Sequence, residues 1–170
     1  MYFNCDLCGG QTEVLSNQIY NYKESGLDNV YLENTEVREC KQCKEKSVII
    51  PRIMQVHKLM ALAVTLSDTP LNGKEVRFIR TELGYKIKDW AKLLKVSDAT
   101  VVRWEKGSQT IGAQSDALIR LCFIQTIQER DNQLFKESVI KRIASIKEGQ
   151  KPDIFINVSE PSTYRYFIAA

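Results

Sequence analysis

Four of the five cysteines fall in two Cys-x2-Cys pairs, Cys5-Asp6-Leu7-Cys8 and Cys40-Lys41-Gln42-Cys43, and this spacing constrains the front of the chain more than anything else in it. Each such turn brings two thiolates close enough to share one tetrahedral ion, and the 31 residues between the pairs can run out and back as a hairpin. Structural zinc wants that arrangement, with Zn–S bonds of about 2.3 Å and no open position. Gly9-Gly10 after the first pair suits a tight knuckle whose amides turn toward sulfur. Disulfides and a redox dithiol are the rival readings. A reducing cytosol disfavours the first, and two motifs without a βαβ unit disfavour the second. Residues 1–50 hold few large apolar side chains, so metal binding worth roughly 10–16 kcal/mol is expected to keep this module folded. Four thiolates leave no site for a catalytic water, and no His/Glu cluster or nucleophile–base pair accompanies them, so an enzyme is not expected.

Between the cysteine pairs, Ile19-Tyr20-Asn21-Tyr22 and Val30-Tyr31-Leu32 flank Glu24-Ser25-Gly26-Leu27-Asp28-Asn29, the pattern of an antiparallel hairpin. Its tyrosines either cover the small core and the metal or form a protein-binding face. Pro51 can occupy the first turn of a helix running to about Leu66, with apolar residues at 53, 56, 59/60, 63 and 66, which Asp68-Thr69-Pro70 then breaks. The only histidine, His57, reads as a half-buried residue of that helix rather than a ligand.

Charge is unevenly spread over the 24 basic and 21 acidic residues. Residues 1–50 carry a net −3, residues 51–70 a net +1, residues 71–125 a net +4, and residues 126–170 a net +1. Attraction to a polyanion should therefore sit in the third segment. There Lys74 to Leu83 is an amphipathic helix ended by Gly84, and Ile87 to Leu94 is a short second helix with Trp90, Ala91, Leu93 and Leu94 facing inward. Lys95-Val96 forms a turn, Ser97 caps a third helix from Asp98 to Lys106, Gly107 stops it, and Ser115-Asp116 opens a fourth. Trp90, Leu94, Val96, Val101 and Trp104 fall where two crossing helices must pack, with the small Ala91 at the closest approach. This spacing is the helix-turn-helix pattern, whose second helix enters the DNA major groove by its N-terminal end.

These blocks resemble a known family. Leu71-Asn72-Gly73-Lys74-Glu75-Val76-Arg77-Phe78-Ile79-Arg80 and Val96-Ser97 through Arg103-Trp104-Glu105-Lys106-Gly107 look like the phage-repressor (XRE) type of helix-turn-helix. Joined to an N-terminal Cys-x2-Cys pair and Glu24 to Leu32, the whole is similar to the YgiT-type zinc-finger regulators, which include the MqsA-like antitoxins. The resemblance covers roughly residues 1–125 and implies a dimeric DNA-binding repressor with a structural zinc. Ile87 stands where the family usually has Gln, and Lys95 where its turn usually has Gly.

The recognition helix would present Asp98, Ala99, Thr100, Val102 and Arg103 to base edges. Arg103 could hold guanine bidentately, and Ala99 or the Thr100 methyl could sit against thymine. Asp98 either accepts from a cytosine amino group or caps its own helix. Lys86, Lys88, Lys106 and Gln109 are phosphate candidates. Glu105 is expected to pair with Arg77, Arg80 or Arg120, while Val101 and Trp104 belong to the core.

In the tail, Phe123, Ile127, Leu134, Ile140, Ile143 and Ile146 suggest one or two helices before Gly149. Ile154 to Val158 and Tyr164 to Ile168 alternate as strands around Glu160-Pro161-Ser162. A lone hairpin is marginal in water, so these strands should pair with one another against the tail helix, or with the same strands of a second subunit. Cys122 reads as a buried small apolar residue. The expected architecture is mainly α with a small β zinc ribbon: a four-cysteine zinc-binding domain over 1–50, a linker helix over 51–70, a four-to-five-helix XRE-type helix-turn-helix domain over 71–125, and a C-terminal helix with β-strands over 126–170, a possible dimerisation element.

The expected function is a sequence-specific transcriptional regulator, an autorepressor acting as a homodimer on palindromic double-stranded DNA. The alternative is an antitoxin whose zinc domain neutralises a toxin protein while the helix-turn-helix autoregulates the operon. The longest apolar stretch, Leu59 to Leu66, is less than half the roughly 18 residues a membrane span needs. Met1-Tyr2-Phe3-Asn4-Cys5-Asp6 has no basic n-region or apolar h-region, so a cytoplasmic protein is expected.

Overall fold

The computed structural model describes residues 4–131, 137–160 and 164–167. Leu134, the Pro161-Ser162 turn, Ile168 and Met1 to Phe3 lie outside the described residues. The chain runs β1 (Thr12–Asn21), β2 (Val30–Cys40), β3 (Lys46–Ile49), α1 (Ile53–Thr65), α2 (Gly73–Glu82), α3 (Ile87–Leu94), α4 (Asp98–Glu105), α5 (Ala113–Asp131), α6 (Glu137–Ala144), β4 (Asp153–Asn157) and β5 (Tyr164–Phe167). The described residues thus form six α-helices and a small mixed sheet. No helix among the described residues is long and apolar enough to cross a membrane.

The expected hairpin forms and is longer than its tyrosine-rich ends suggest. β1 and β2 pair antiparallel from Asn21↔Tyr31 to Thr12↔Cys40, joined by one 3-10 turn over Lys23–Ser25. Gly26 closes that turn at φ 85°, a left-handed conformation that costs glycine little. β3 returns along the distal half of β2, with Glu36↔Ile49 and Glu39↔Lys46 as end pairs.

The tail strands settle the question of their partner in a way the alternation could not show. β4 and β5 pair antiparallel with each other, and β4 also runs parallel to the proximal half of β2, from Val30↔Ile154 to Glu33↔Asn157. Two anchors fix this register: the Ile154 amide donates to the Asn29 carbonyl at 2.8 Å, and Asn29 Nδ2 donates to the Pro152 carbonyl at 2.7 Å. The alternation itself is as read, with Ile154, Ile156 and Val158 buried. On the opposite face Tyr31 stacks on Phe155 at 5.0 Å between ring centres, and the Arg165 guanidinium lies over Phe155. Such cross-strand contacts are the unit of sheet stability.

β2 therefore has β1 along one side and β3 and β4 sharing the other, with β5 outside β4. One hydrophobic cluster links Tyr22, Leu27, Val30 and Leu32 of the ribbon to α1, α2 and the tail residues Ile154 and Ile156. His57 sits at this seam, half-buried as expected, with Nε2 3.0 Å from the Tyr22 hydroxyl and Phe78 edge-on to its ring. Burial holds its pKa below the ordinary value, since the imidazolium would lose water there.

The helices follow their local signals. Asn72 caps α2 in a reciprocal box with Glu75, each side chain holding the other's amide, and Ser97 caps α4 by accepting from the Thr100 amide at 3.1 Å. Within α3 and α4, Trp90, Ala91, Leu94, Val101 and Trp104 are buried as the crossing pattern requires. Leu93 differs from expectation: it is 42% exposed and, with Leu118, Leu121 and Ile140, lines an apolar groove of about 490 Å³ between α3, α5 and α6. Cys122 is half-buried on that groove rather than fully enclosed. The helix count also differs. α5 runs unbroken past residue 125, so the fourth bundle helix and the first tail helix are one element, and 71–125 holds no fifth helix among the described residues. No Pro or Gly interrupts α5 from Ala113 to Asp131 to force a break.

Two joints hold the helices to the rest. Arg120 is fully buried and pairs with Asp116 (2.5 Å) rather than with Glu105. It also donates to the carbonyls of Thr65, Ser67 and Thr69, each at 2.7 Å, while Asp116 accepts the Leu71 amide at 2.5 Å. The irregular stretch between α1 and α2 thereby finds its hydrogen-bond partners on α5. Glu75, also buried, receives Lys151 at 2.6 Å and so ties the tail to the start of α2.

Gly73, at the start of α2, lies directly against the backbone at the end of α4. A Cβ there would lie 2.0 Å from the Trp104 carbonyl oxygen and 3.1 Å from Glu105 backbone atoms. Gly73→Ala should therefore lower stability by about 1–3 kcal/mol through overpacking; as the first residue of α2 it gains less than the roughly 1 kcal/mol that alanine brings to a helix interior. A thermal melt should show the midpoint falling by several degrees; a rise would mean α2 and α4 can separate freely.

Candidate functional site

Cys5, Cys8, Cys40 and Cys43 come together. Their sulfurs all lie within 4.8 Å of one another, with Cys8–Cys40 at 3.5 Å and Cys5–Cys43 at 3.6 Å. A tetrahedron with arms of about 2.3 Å has edges of about 3.8 Å, so the cluster is the size of a four-thiolate shell and could hold a metal ion. The two turns that build it are related. In the first, the Cys5 amide donates to the Gly10 carbonyl and the Gly9 amide to the Cys5 carbonyl, at 2.8 and 2.9 Å. In the second, the Cys40 amide donates to the Glu45 carbonyl and the Lys44 amide to the Cys40 carbonyl, at 2.9 and 3.0 Å. The fifth residue of each turn is left-handed, Gly9 at φ 71° and Lys44 at φ 60°.

Backbone amides point at sulfur as the Gly9-Gly10 step suggests: Gly10 donates to Cys8 Sγ and Gln42 to Cys40 Sγ, both at 3.4 Å. Gly10 has a second role that the sequence did not disclose. A Cβ on it would stand 2.8 Å from Gln42 Oε1 and 3.3 Å from Cys40 Sγ, so its missing side chain lets the turns close on each other. The Cys43 and Gln42 amides pull the Cys40 thiol down to about 6. Cys43 is raised instead, because hydrogen bonding with the Cys8, Cys40 and Cys5 sulfurs, together with burial, outweighs the Glu45 amide. Four adjacent sulfurs resist becoming four anions, and a cation among them removes that resistance.

A second set of candidates surrounds α4. Ala99, Arg103, Lys106 and Gln109 are exposed, Thr100 and Val102 half-exposed, and Lys86 and Lys88 exposed at the start of α3. Lys86, Lys88 and Lys106 enter no ion pair among the described residues, whereas Arg80, Arg120, Arg142, Lys58, Lys74 and Lys151 all do. Among the described residues the Arg103 guanidinium makes one long contact, to Gln109 at 3.4 Å. Asp98 is exposed in the first turn of α4, and the cap belongs to Ser97, so the capping role read for Asp98 falls away.

The base of this face is clamped by one arginine. Arg80, named among the three options for Glu105, forks onto it with Nε–Oε1 at 2.6 Å and Nη2–Oε2 at 3.0 Å, and its Nη1 donates to the Tyr85 carbonyl at 2.7 Å. That clamp joins α2, the loop before α3 and the end of α4. Lys95 takes the left-handed conformation, φ 56° and ψ 39°, that glycine would adopt more easily in the α3–α4 turn. The chain matches no family model, no curated protein and no solved structure.

Proposed function

We propose that this chain is a sequence-specific DNA-binding transcriptional regulator, an autorepressor acting as a homodimer on a palindromic operator, with zinc held by Cys5, Cys8, Cys40 and Cys43 as a structural ion. The observation that carries this reading is the exposed face of α4 bordered by Lys86, Lys88 and Lys106, cations without carboxylate partners among the described residues. Free cations flanking a short, capped helix suit phosphates on either side of a major groove. Within that face Arg103 is the group able to read guanine, and Ala99 with Thr100 offers apolar contact to a thymine methyl. Zinc is favoured for the ion because a closed four-thiolate tetrahedron is its usual structural setting.

Two substitutions separate the roles. Arg103→Ala should cost about 1–3 kcal/mol on the preferred duplex and erase preference at one base position. Lys88→Ala should weaken all sequences alike and reduce the salt slope by about one unit. A dimer touching about six phosphates should show log K falling against log salt with a slope of roughly −5. Equal loss on preferred and random duplexes for Arg103→Ala would remove it from base reading.

A second reading, an antitoxin whose ribbon neutralises a toxin protein, is favoured by β1. That strand pairs only with β2 among the described residues and exposes Val14 and Ile19, 43% and 64%. A long open edge is a ready template for a partner strand.

A further inference from the structure

The four thiols of the cluster are not equivalent. Cys8 and Cys43 are exposed, whereas Cys5 and Cys40 are buried. The sulfur of each exposed cysteine touches that of a buried one from the opposite turn, Cys8 against Cys40 at 3.5 Å and Cys43 against Cys5 at 3.6 Å. An oxidant-accessible cysteine thus stands in contact with a sheltered one, twice over. We propose that the cluster is a hydroperoxide-reactive modification site, in which Cys8 and Cys43 are oxidised first and Cys40 and Cys5 then close disulfides between the two turns. The proposal stands on the cluster and is independent of duplex binding.

The chemistry balances with a hydroperoxide as the only co-reactant. The Cys8 thiolate attacks the terminal peroxide oxygen, the O–O bond breaks, and the leaving alkoxide takes a proton to become an alcohol. Sulfur is oxidised to sulfenic acid. The Cys40 thiolate then attacks Cys8 Sγ, the S–S bond forms, and the departing hydroxide takes a proton to become water. Cys43 and Cys5 repeat the sequence. Each pair gives up two electrons, so about two hydroperoxide molecules are consumed per chain. From contact, the sulfurs close by about 1.5 Å to reach a bond of about 2.05 Å. Two such disulfides use every ligand of the shell and must expel its ion.

The experiment uses the full chain carrying its ion, with Cys122→Ser to remove the fifth thiol, treated with hydrogen peroxide. Peptide mapping without reductant should find Cys8–Cys40 and Cys5–Cys43, and a chromogenic chelator should register release of the ion in step with them. Dithiothreitol should restore free thiols. Cys8→Ser should leave only Cys5–Cys43. Disulfides within the turns (Cys5–Cys8 and Cys40–Cys43), disulfides between chains, or thiols that stay reduced or pass to sulfonic acid without a disulfide would each overturn the proposal.

Discussion

Replacing Arg120 by alanine should cost about 3–5 kcal/mol of stability, among the largest losses any single side chain here can cause. The guanidinium is wholly buried and serves one carboxylate and three close carbonyls at once. Its removal leaves Asp116 as a buried charge with only the Leu71 amide, and strands the carbonyls of Thr65, Ser67 and Thr69 away from water. An unpaired buried charge costs more than the pair contributes, which is why the loss exceeds that of a surface ion pair. Arg120→Lys should rescue little, because one ammonium cannot span a carboxylate and carbonyls on opposite sides of the fork. Denaturant melts should show the midpoint falling at constant slope. A loss below about 1 kcal/mol would mean that water reaches this joint.

Stripping the ion should have the second large effect, and a local one. At a free metal concentration a hundred times Kd, binding alone stabilises by about 2.7 kcal/mol, and a structural four-thiolate site binds far more tightly. Without it, the two turns, the distal half of β2 and β3 keep their pairing with β1 and one another and the buried Val37, but join no larger core: Lys46 and Ser47 are exposed, and Cys8 and Cys43 lie at the surface. The proximal half of β2 is different. Val30 and Leu32 are fully buried, and β4 is paired along them. Hydrogen exchange after chelation should therefore lose protection at Val37 to Cys40 and at β3, by roughly a hundredfold or more. Val30 to Leu32 and the helices should keep theirs. Loss of protection along the whole of β2 would show that the ion alone holds the ribbon.

That expectation revises what residues 1–50 suggest by themselves. Their scarcity of apolar side chains is real, but the missing core arrives from the tail, as Ile154 and Ile156 against Val30 and Leu32. No local pattern announces this pairing. A parallel contact between residues more than 120 positions apart needs a long crossover, and neither strand's alternation names its partner. The four clustered cysteines were legible because their spacing is itself the chemistry. Likewise α3 and α4 were legible to within a residue, since Ser97, the buried tryptophans and Gly107 mark the ends and faces locally. Arg120 was not, because its partners are carbonyls of an irregular stretch, invisible to any periodicity. The opposite failure occurred at Leu93, where a leucine beside Trp90 and Leu94 fits an inward face by composition yet falls on the groove side of an eight-residue helix. Lys44 and Lys95, both left-handed, show a similar limit: turn geometry imposed by cysteine spacing or helix crossing overrides the residue's own preference.

The central claim is that the outward face of α4 reads base pairs, and selection from a pool of random duplexes by the intact, metal-loaded chain tests it most directly. Successive rounds should converge on one inverted repeat whose half-sites lie about one helical turn apart, each containing a guanine whose enrichment disappears with Arg103→Ala. A pool that remains unselected, with weak retention abolished by moderate salt, would contradict it.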